Sequence, residues 1–256
     1  MSLSAALAAI AVGFLAGVAS GMFGVGGGIV MTPGVQTFLG ASPIVSLATP
    51  LPVIFPTAIA GALRYRAADE LDLRAARLIV TGGLPAVIVG AVLTEVVPTT
   101  ALLLVTALLL AWQSIGIVRG KDGRTAPAPE RIDVLALLAI GVVAGLVSGL
   151  LGIGGGLVVV PLLTRWLGFP LKRALGTSLA AVVGLVVPAT IVHAALGNID
   201  WAIAGALAIG AVPGARLGSR LALGAADHTL RLLVGGFMLA VALAYGIQQA
   251  MAMIQG

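Results

Sequence analysis

The chemistry this chain can offer is concentrated in two strings, Gly24-Val-Gly-Gly-Gly28 and Gly152-Ile-Gly-Gly-Gly156, each followed by a short apolar stretch. A glycine-rich turn that opens a helix leaves unsatisfied backbone N–H groups at the positive end of the helix dipole, and such an end favours an anion. Hydroxyls and one amide surround the strings. Ser20 and Ser148 precede the turns, Thr32 and Gln36 follow the first, and Thr49, Thr177 and Ser178 come one helix later. Together with Gly24, Gly26, Gly27, Gly28, Gly152, Gly154, Gly155 and Gly156 they form a candidate site for a small anion. No Lys or Arg falls mid-helix, so dipoles rather than a full positive charge must solvate it. Ser and Thr in membrane helices equally bond the carbonyl four residues back or a neighbouring helix. Nucleotide binding is poorly supported, since no Gly-Lys-Ser/Thr is present and positions 29 and 157 are not glycine. His193 reads as interfacial near a helix end, and Arg165, Arg216, Arg220 and Arg231 as snorkelling cations. Glu95 and Asp200 fall at helix ends, which leaves no carboxylate deep in a helix for a proton relay or a cation site.

The elements that position these residues follow from composition. Of 256 residues, 60% are hydrophobic, 9% are charged and 36 are Gly, and the mean hydropathy is +1.17; a soluble domain carries about 25% charge. That excludes a soluble enzyme and a disordered chain, and predicts an all-α integral membrane protein. Apolar stretches fall near 3–23, 28–40, 42–63, 75–96, 99–118, 132–151, 156–168, 171–195, 201–223 and 229–250. All but the second and seventh are long enough to cross a bilayer, which takes roughly 20 residues. The first stretch lacks a basic n-region and a convincing cleavage site, and reads as a retained helix. There is no cysteine, and no metal or cofactor is expected. The pI near 10.7 reports basic cytoplasmic loops rather than a nucleic-acid partner. The expected partners are the anion and membrane lipid, with a homodimer left open.

The chain repeats itself at an offset of 128 residues, half its length. Aligning Gly13–Phe38 with Gly141–Trp166 gives eleven identities in 26 positions, and Leu47/Leu175, Thr49/Thr177, Asp72/Asp200, Pro85/Pro213, Gly90/Gly218 and Leu102/Leu230 continue the match. The domains are therefore residues 1–128, with a linker at about 119–131, and residues 129–256. Equivalent loops carry opposite loads of Lys and Arg. Arg64, Arg66, Arg74 and Arg77 have no basic counterpart around 197–205, and the bare break at 40–45 corresponds to Arg165, Lys172 and Arg173. Under the positive-inside rule the halves are inverted, which requires an odd number of passages in each. The count becomes five plus five, about ten membrane helices including the two short ones. All 14 Lys and Arg, with Arg119, Lys121, Arg124 and Arg131 of the linker, then share the cytoplasmic face, and both termini are periplasmic. Inverted repeats whose corresponding short segments are Gly-interrupted mark secondary transporters, with the site at the midplane. The series Gly13/Gly17/Gly21, Gly141/Gly145/Gly149 and Gly210/Gly214/Gly218, at four-residue spacing, read as helix-packing positions.

Several strings resemble the sulfite exporter TauE/SafE family of permeases. They are Gly21-Met-Phe-Gly-Val-Gly-Gly-Gly-Ile-Val-Met-Thr-Pro33, its counterpart Gly149 to Pro161, Ala174-Leu-Gly-Thr-Ser178, Gly197-Asn-Ile-Asp-Trp201 and Gly210-Ala-Val-Pro-Gly-Ala-Arg-Leu-Gly218. The likeness runs over essentially the full chain. It implies transport of small sulfur-containing anions, such as sulfite or sulfonates like sulfoacetate, across a bacterial inner membrane. The first half departs from the pattern with Ser46-Leu-Ala-Thr-Pro50, so Pro50 stands where Ser178 stands in the second. Export is the expected direction, because an anion leaving an inside-negative cell gains about 2.3 kcal/mol per charge per 100 mV. The alternatives are a permease or channel for another solute and, less favoured, an intramembrane hydrolase using Ser20 or Ser148 with His193. The hydrolase lacks a Gly-x-Ser-Gly string, and the repeat puts Tyr65 opposite His193.

Overall fold

The computed structural model describes residues 2–94, 96–97, 108, 133–237, 239–240 and 243. Among these, regular structure is helical, with no strand. The helices are α1 (Leu3–Phe23), α2 (Gly28–Leu39), α3 (Pro43–Ala48), α4 (Pro50–Ala67), α5 (Leu73–Leu93), α6 (Val134–Leu151), α7 (Gly156–Trp166), α8 (Leu171–Ala195) and α9 (Trp201–Gly224). Residues 227–237 are helical as well. Glu95, all of the predicted stretch at 99–118 but residue 108, the linker at 119–131, the boundary at 128 and residues 244–250 of the last stretch lie outside the described residues. Among the described residues, six segments are long and apolar enough to cross a membrane, with α3 and α4 counting as one span, Pro43–Ala67. They match the predicted long stretches to within a few residues, and α2 and α7 match the two short ones.

Helix ends follow from single residues. Asp72, Asp133 and Asp200 cap α5, α6 and α9, each carboxylate accepting from backbone N–H groups of the first turn. Gly24 and Gly152 end α1 and α6 in the left-handed conformation, at φ of 70° and 62°. Pro50 has no N–H to continue a ladder, and the span 43–67 is broken there into α3 and α4. At the equivalent position α8 has Ser178 and runs unbroken for 25 residues, about 37 Å at 1.5 Å per residue.

Packing is dominated by two glycine seams. Along α1 and α9, a Cβ on Gly13, Gly17 or Gly21 would strike the carbonyl oxygens of Leu207, Ala211 and Ala215. From the other side, Gly210, Gly214 and Gly218 lie on the carbonyls of Ile10, Phe14 and Val18. Numbers rise together, so the two helices run parallel with their backbones in contact. The second seam joins α5 to α6 by the same pattern. Gly141, Gly145 and Gly149 lie on Ile79, Gly83 and Val87, and Gly82 and Gly90 on Leu138 and Leu146. Five of the six contacts in the first seam have their counterpart in the second at an offset of 128, Gly214 being matched by Ala86, and each seam joins a helix of one half to a helix of the other. Small residues permit this approach where lipid supplies no hydrophobic drive between helices.

At the centre, α4 crosses α8. Ile54 and Val182 both lie over Gly26 and Gly154, Gly61 faces Leu179, and Gly176 faces Tyr65. Numbers rise on one helix as they fall on the other, so these two run antiparallel. Leu51, Ile54, Leu179, Val182 and Leu185 are fully buried there. Leu7, Leu15, Ile88, Leu135, Ile191 and Ile209 are exposed on the outer faces, as lipid contact requires.

The seams can be tested by adding one methyl group. Gly17→Ala and Gly145→Ala are expected to lower stability in detergent by about 1–3 kcal/mol, the usual cost of overpacking. Gly205→Ala, on α9 but with open space around it, should leave the melting temperature within a degree or two. Thermal unfolding of the three variants checks this.

Candidate functional site

The two glycine strings fold alike. Gly24, Gly26 and Gly27 have φ of 70°, 83° and 84°, and Gly152, Gly154 and Gly155 have 62°, 78° and 72°. Residues with a Cβ rarely adopt this region. Gly28 and Gly156 are required for a different reason, because the loops lie directly on one another. A Cβ on Gly28 would come 2.9 Å from the carbonyl oxygen of Gly152, and one on Gly156 would come 2.5 Å from that of Gly24. The starts of α2 and α7 therefore meet across a backbone-to-backbone contact. Each first turn closes on its own cap, with Val30 and Met31 donating to Gly27 O and Val158 and Val159 to Gly155 O.

Hydroxyls anchor this crossing. Tyr65, fully buried, donates to Gly21 O at 3.0 Å. Thr94 shares its proton between Gly90 O, four residues back at 3.1 Å, and Gly149 O at 3.2 Å, and Ser178 donates to Gly24 O at 2.8 Å, with Gly156 O at 3.4 Å. Gly21 and Gly149 sit in the last turns of α1 and α6, where carbonyls lack intrahelical partners. Composition and spacing do not reveal Tyr65 or Thr94 as contributors, since neither recurs at the offset of 128.

Other predicted site residues lie around the crossing. Ser20 sits against the first loop, its Cβ 3.3 Å from where a Cβ on Gly27 would be. Ser20, its equivalent Ser148, and Thr32 on α2 are buried, and their hydroxyls find no hydrogen-bond partner among the described residues. The contrast with other hydroxyls is informative. Thr57, Thr81, Thr164, Thr190 and Ser219 each donate to the carbonyl four residues back, the usual arrangement in helices. A buried hydroxyl without a partner costs about 1–3 kcal/mol, and this arrangement recurs at two equivalent positions beside two helix starts. Gln36 is half-buried near the end of α2. Thr49 and Thr177 lie to either side of the crossing, and their oxygens accept from the backbone N–H of Asp200 at 3.1 Å and of Asp72 at 3.0 Å.

Charge is confined to the ends. Lys172 and Arg173 open α8, where Arg173 pairs with Asp72 at 3.2 Å and Lys172 donates to Leu223 O at 3.2 Å and faces Asp227 at 3.6 Å. Beside them, burial raises the Glu70 carboxyl above its usual range; Lys172 and Arg173 oppose that shift, and Asp227 and Asp69 add to it. At the other end His193 is fully buried in the last turn of α8, its Nδ1 3.4 Å from Asn198 Nδ2.

The family model described as sulfite exporter TauE/SafE matches residues 9–245. The chain belongs to that family. Over 251 residues, 95% of each chain, it is 29% identical to a probable membrane transporter protein of Xylella fastidiosa (strain 9a5c). Over 236 residues, 83% of this chain and 86% of the other, it is 27% identical to YunE, a probable membrane transporter protein of Bacillus subtilis (strain 168). No solved structure matches it significantly. It is a multi-pass membrane transporter of the TauE/SafE family.

The orphan hydroxyls give this transporter a signature in the empty protein. Ser20→Ala and Ser148→Ala should leave the melting temperature unchanged or raise it by the equivalent of up to about 1 kcal/mol, because each removes an unpartnered polar group. Ser178→Ala should lower it by about 1–2 kcal/mol, because the buried Gly24 carbonyl loses its donor. Melting curves without added solutes decide between these signs.

Proposed function

We propose that this protein is a secondary transporter of small sulfur-containing anions, sulfite or sulfonates such as sulfoacetate, and that it exports them across a bacterial inner membrane. The observation that carries the reading is the pair of buried, unpartnered hydroxyls of Ser20 and Ser148 beside the starts of α2 and α7. Hydroxyl donors and helix N-termini solvate a small anion without a fixed positive charge. The family's printed description points to the same substrate class.

The alternating mechanism rests on a two-fold relation between the halves. Contacts exchanged at the offset of 128 are the mark of a closed, isologous pairing. Because α4 and α8 are equivalent by the repeat, both long enough to span, and antiparallel, the axis relating them lies across the helices, in the membrane plane. The halves are thus inverted five-helix units, about ten membrane helices in all, and the site falls where the axis crosses the two loops. The end of the molecule holding Arg64, Arg66, Arg74, Arg77, Lys172 and Arg173 faces the cytoplasm, and both termini face the periplasm. Membrane potential then drives export without a co-ion, contributing about 2.3 kcal/mol per charge per 100 mV. Direct contact between the loops supports a carrier that moves rather than a standing channel.

Proteoliposomes loaded with sulfite or sulfoacetate should release it when an inside-negative potential is imposed. Ser20→Ala/Ser148→Ala should lower the rate at least fivefold. Accumulation that depends strictly on protons would overturn the export direction, and thermal stabilisation by cations alone would overturn the anion reading. An epitope fused at either terminus should be cut by protease added to intact spheroplasts; protection at both termini would reverse the orientation.

A further inference from the structure

We infer that Thr49 and Thr177 are gate latches rather than substrate ligands, and that the two gates are unequal, so the carrier opens more readily at the end of Thr49. The inference rests on the two-sided carrier proposed above and concerns how its central site is reached. Thr49 and Thr177 are equivalent by the repeat and fully buried. Each stands five positions from the central residue of its span, Ile54 or Val182, or about 7.5 Å along a helix. They lie on opposite sides of the crossing, because α4 and α8 are antiparallel. Each hydroxyl oxygen accepts the backbone N–H of the capping aspartate of the other half, Asp200 for Thr49 and Asp72 for Thr177. These bonds tie the central spans to the starts of α9 and α5, one on each side of the site. Both are made in this structure.

Around these matching bonds the two ends differ. Beside Thr177, Arg173 pairs with the same Asp72, Ser178 donates to Gly24 O, and Lys172 holds Leu223 O near the end of α9. The repeat places Ile44, Val45 and Pro50 opposite Lys172, Arg173 and Ser178. None of the three can supply a side-chain donor, and Pro50 also breaks the span next to Thr49. One gate is therefore one bond between the halves, with Ser46 Oγ donating locally to Ala41 O, at a place where Pro50 removes a ladder donor; the other is one such bond with three further ties on a helix that keeps that donor.

The chain contains no cysteine, so single cysteines report accessibility without background. Ser46 and Ala174 are repeat equivalents, both fully buried and both on the outer side of their latch. In detergent-solubilised full-length protein, a hydrophilic maleimide should label the S46C variant at least tenfold faster than the A174C variant. Adding Thr49→Val should raise labelling of S46C several-fold further, and Thr49→Ser, which keeps the oxygen, should return it to the parent rate. Thr177→Val alone should change A174C less than twofold, whereas Arg173→Gln and Ser178→Ala together with it should raise labelling at least fivefold. Equal rates for the two reporters, or an opening by Thr177→Val as large as that by Thr49→Val, would overturn the inference. Melting temperatures within a few degrees of the parent separate gate opening from unfolding. Because labelling needs no substrate, the test reads the gates even if the anion assignment fails.

Discussion

Everything in this protein is arranged around a contact between two stretches of bare backbone. Gly28 lies against the carbonyl of Gly152, and Gly156 against that of Gly24, at separations that leave no room for a Cβ. Backbone of this kind survives at membrane depth only where it is enclosed by protein. The enclosure is supplied by Ile54 and Val182 from the crossing spans and by hydroxyl donors from Tyr65, Thr94 and Ser178. The carbonyls of Gly21, Gly24 and Gly149, left over at the ends of α1 and α6, are thereby answered from other helices by uncharged donors.

The same economy governs the periphery. In lipid, burial of apolar surface gives helices no preference for one another, so α1 with α9, and α5 with α6, associate through close approach of main chains. A glycine every four residues puts the bare face of one helix on the carbonyls of the next. Because each seam joins the two halves, the halves cannot separate without exposing both.

Much of this is legible in the sequence, and the reasons can be stated residue by residue. The spans are visible because apolar length is a direct consequence of bilayer thickness, and the glycine seams because four-residue spacing has few other uses in a membrane helix. The loops stand out because they occur twice. What escapes is whatever departs from the repeat or depends on which helix lies beside which. Tyr65 and Thr94 have His193 and Ala222 as counterparts, so no doubling draws attention to them. The bonds from Thr49 and Thr177 reach across to the other half, and their partners are backbone N–H groups that leave no trace in residue type. That Ser20, Ser148 and Thr32 lack partners while five other hydroxyls bond their own helices is a matter of rotation about the helix axis. Spacing alone does not convey it.

The seam between α1 and α9 also bears on how the protein is made. These helices are the first and the last long spans described, and about 180 residues of chain separate them. At roughly 5–20 residues per second of synthesis, α1 waits some ten to forty seconds in the membrane before its partner arrives. During that interval Gly13, Gly17 and Gly21 present a bare strip of backbone to lipid or to any helix nearby. A nascent chain of this design therefore depends on a placeholder for its first span, whether lipid, insertion machinery or a neighbouring segment that later yields to α9.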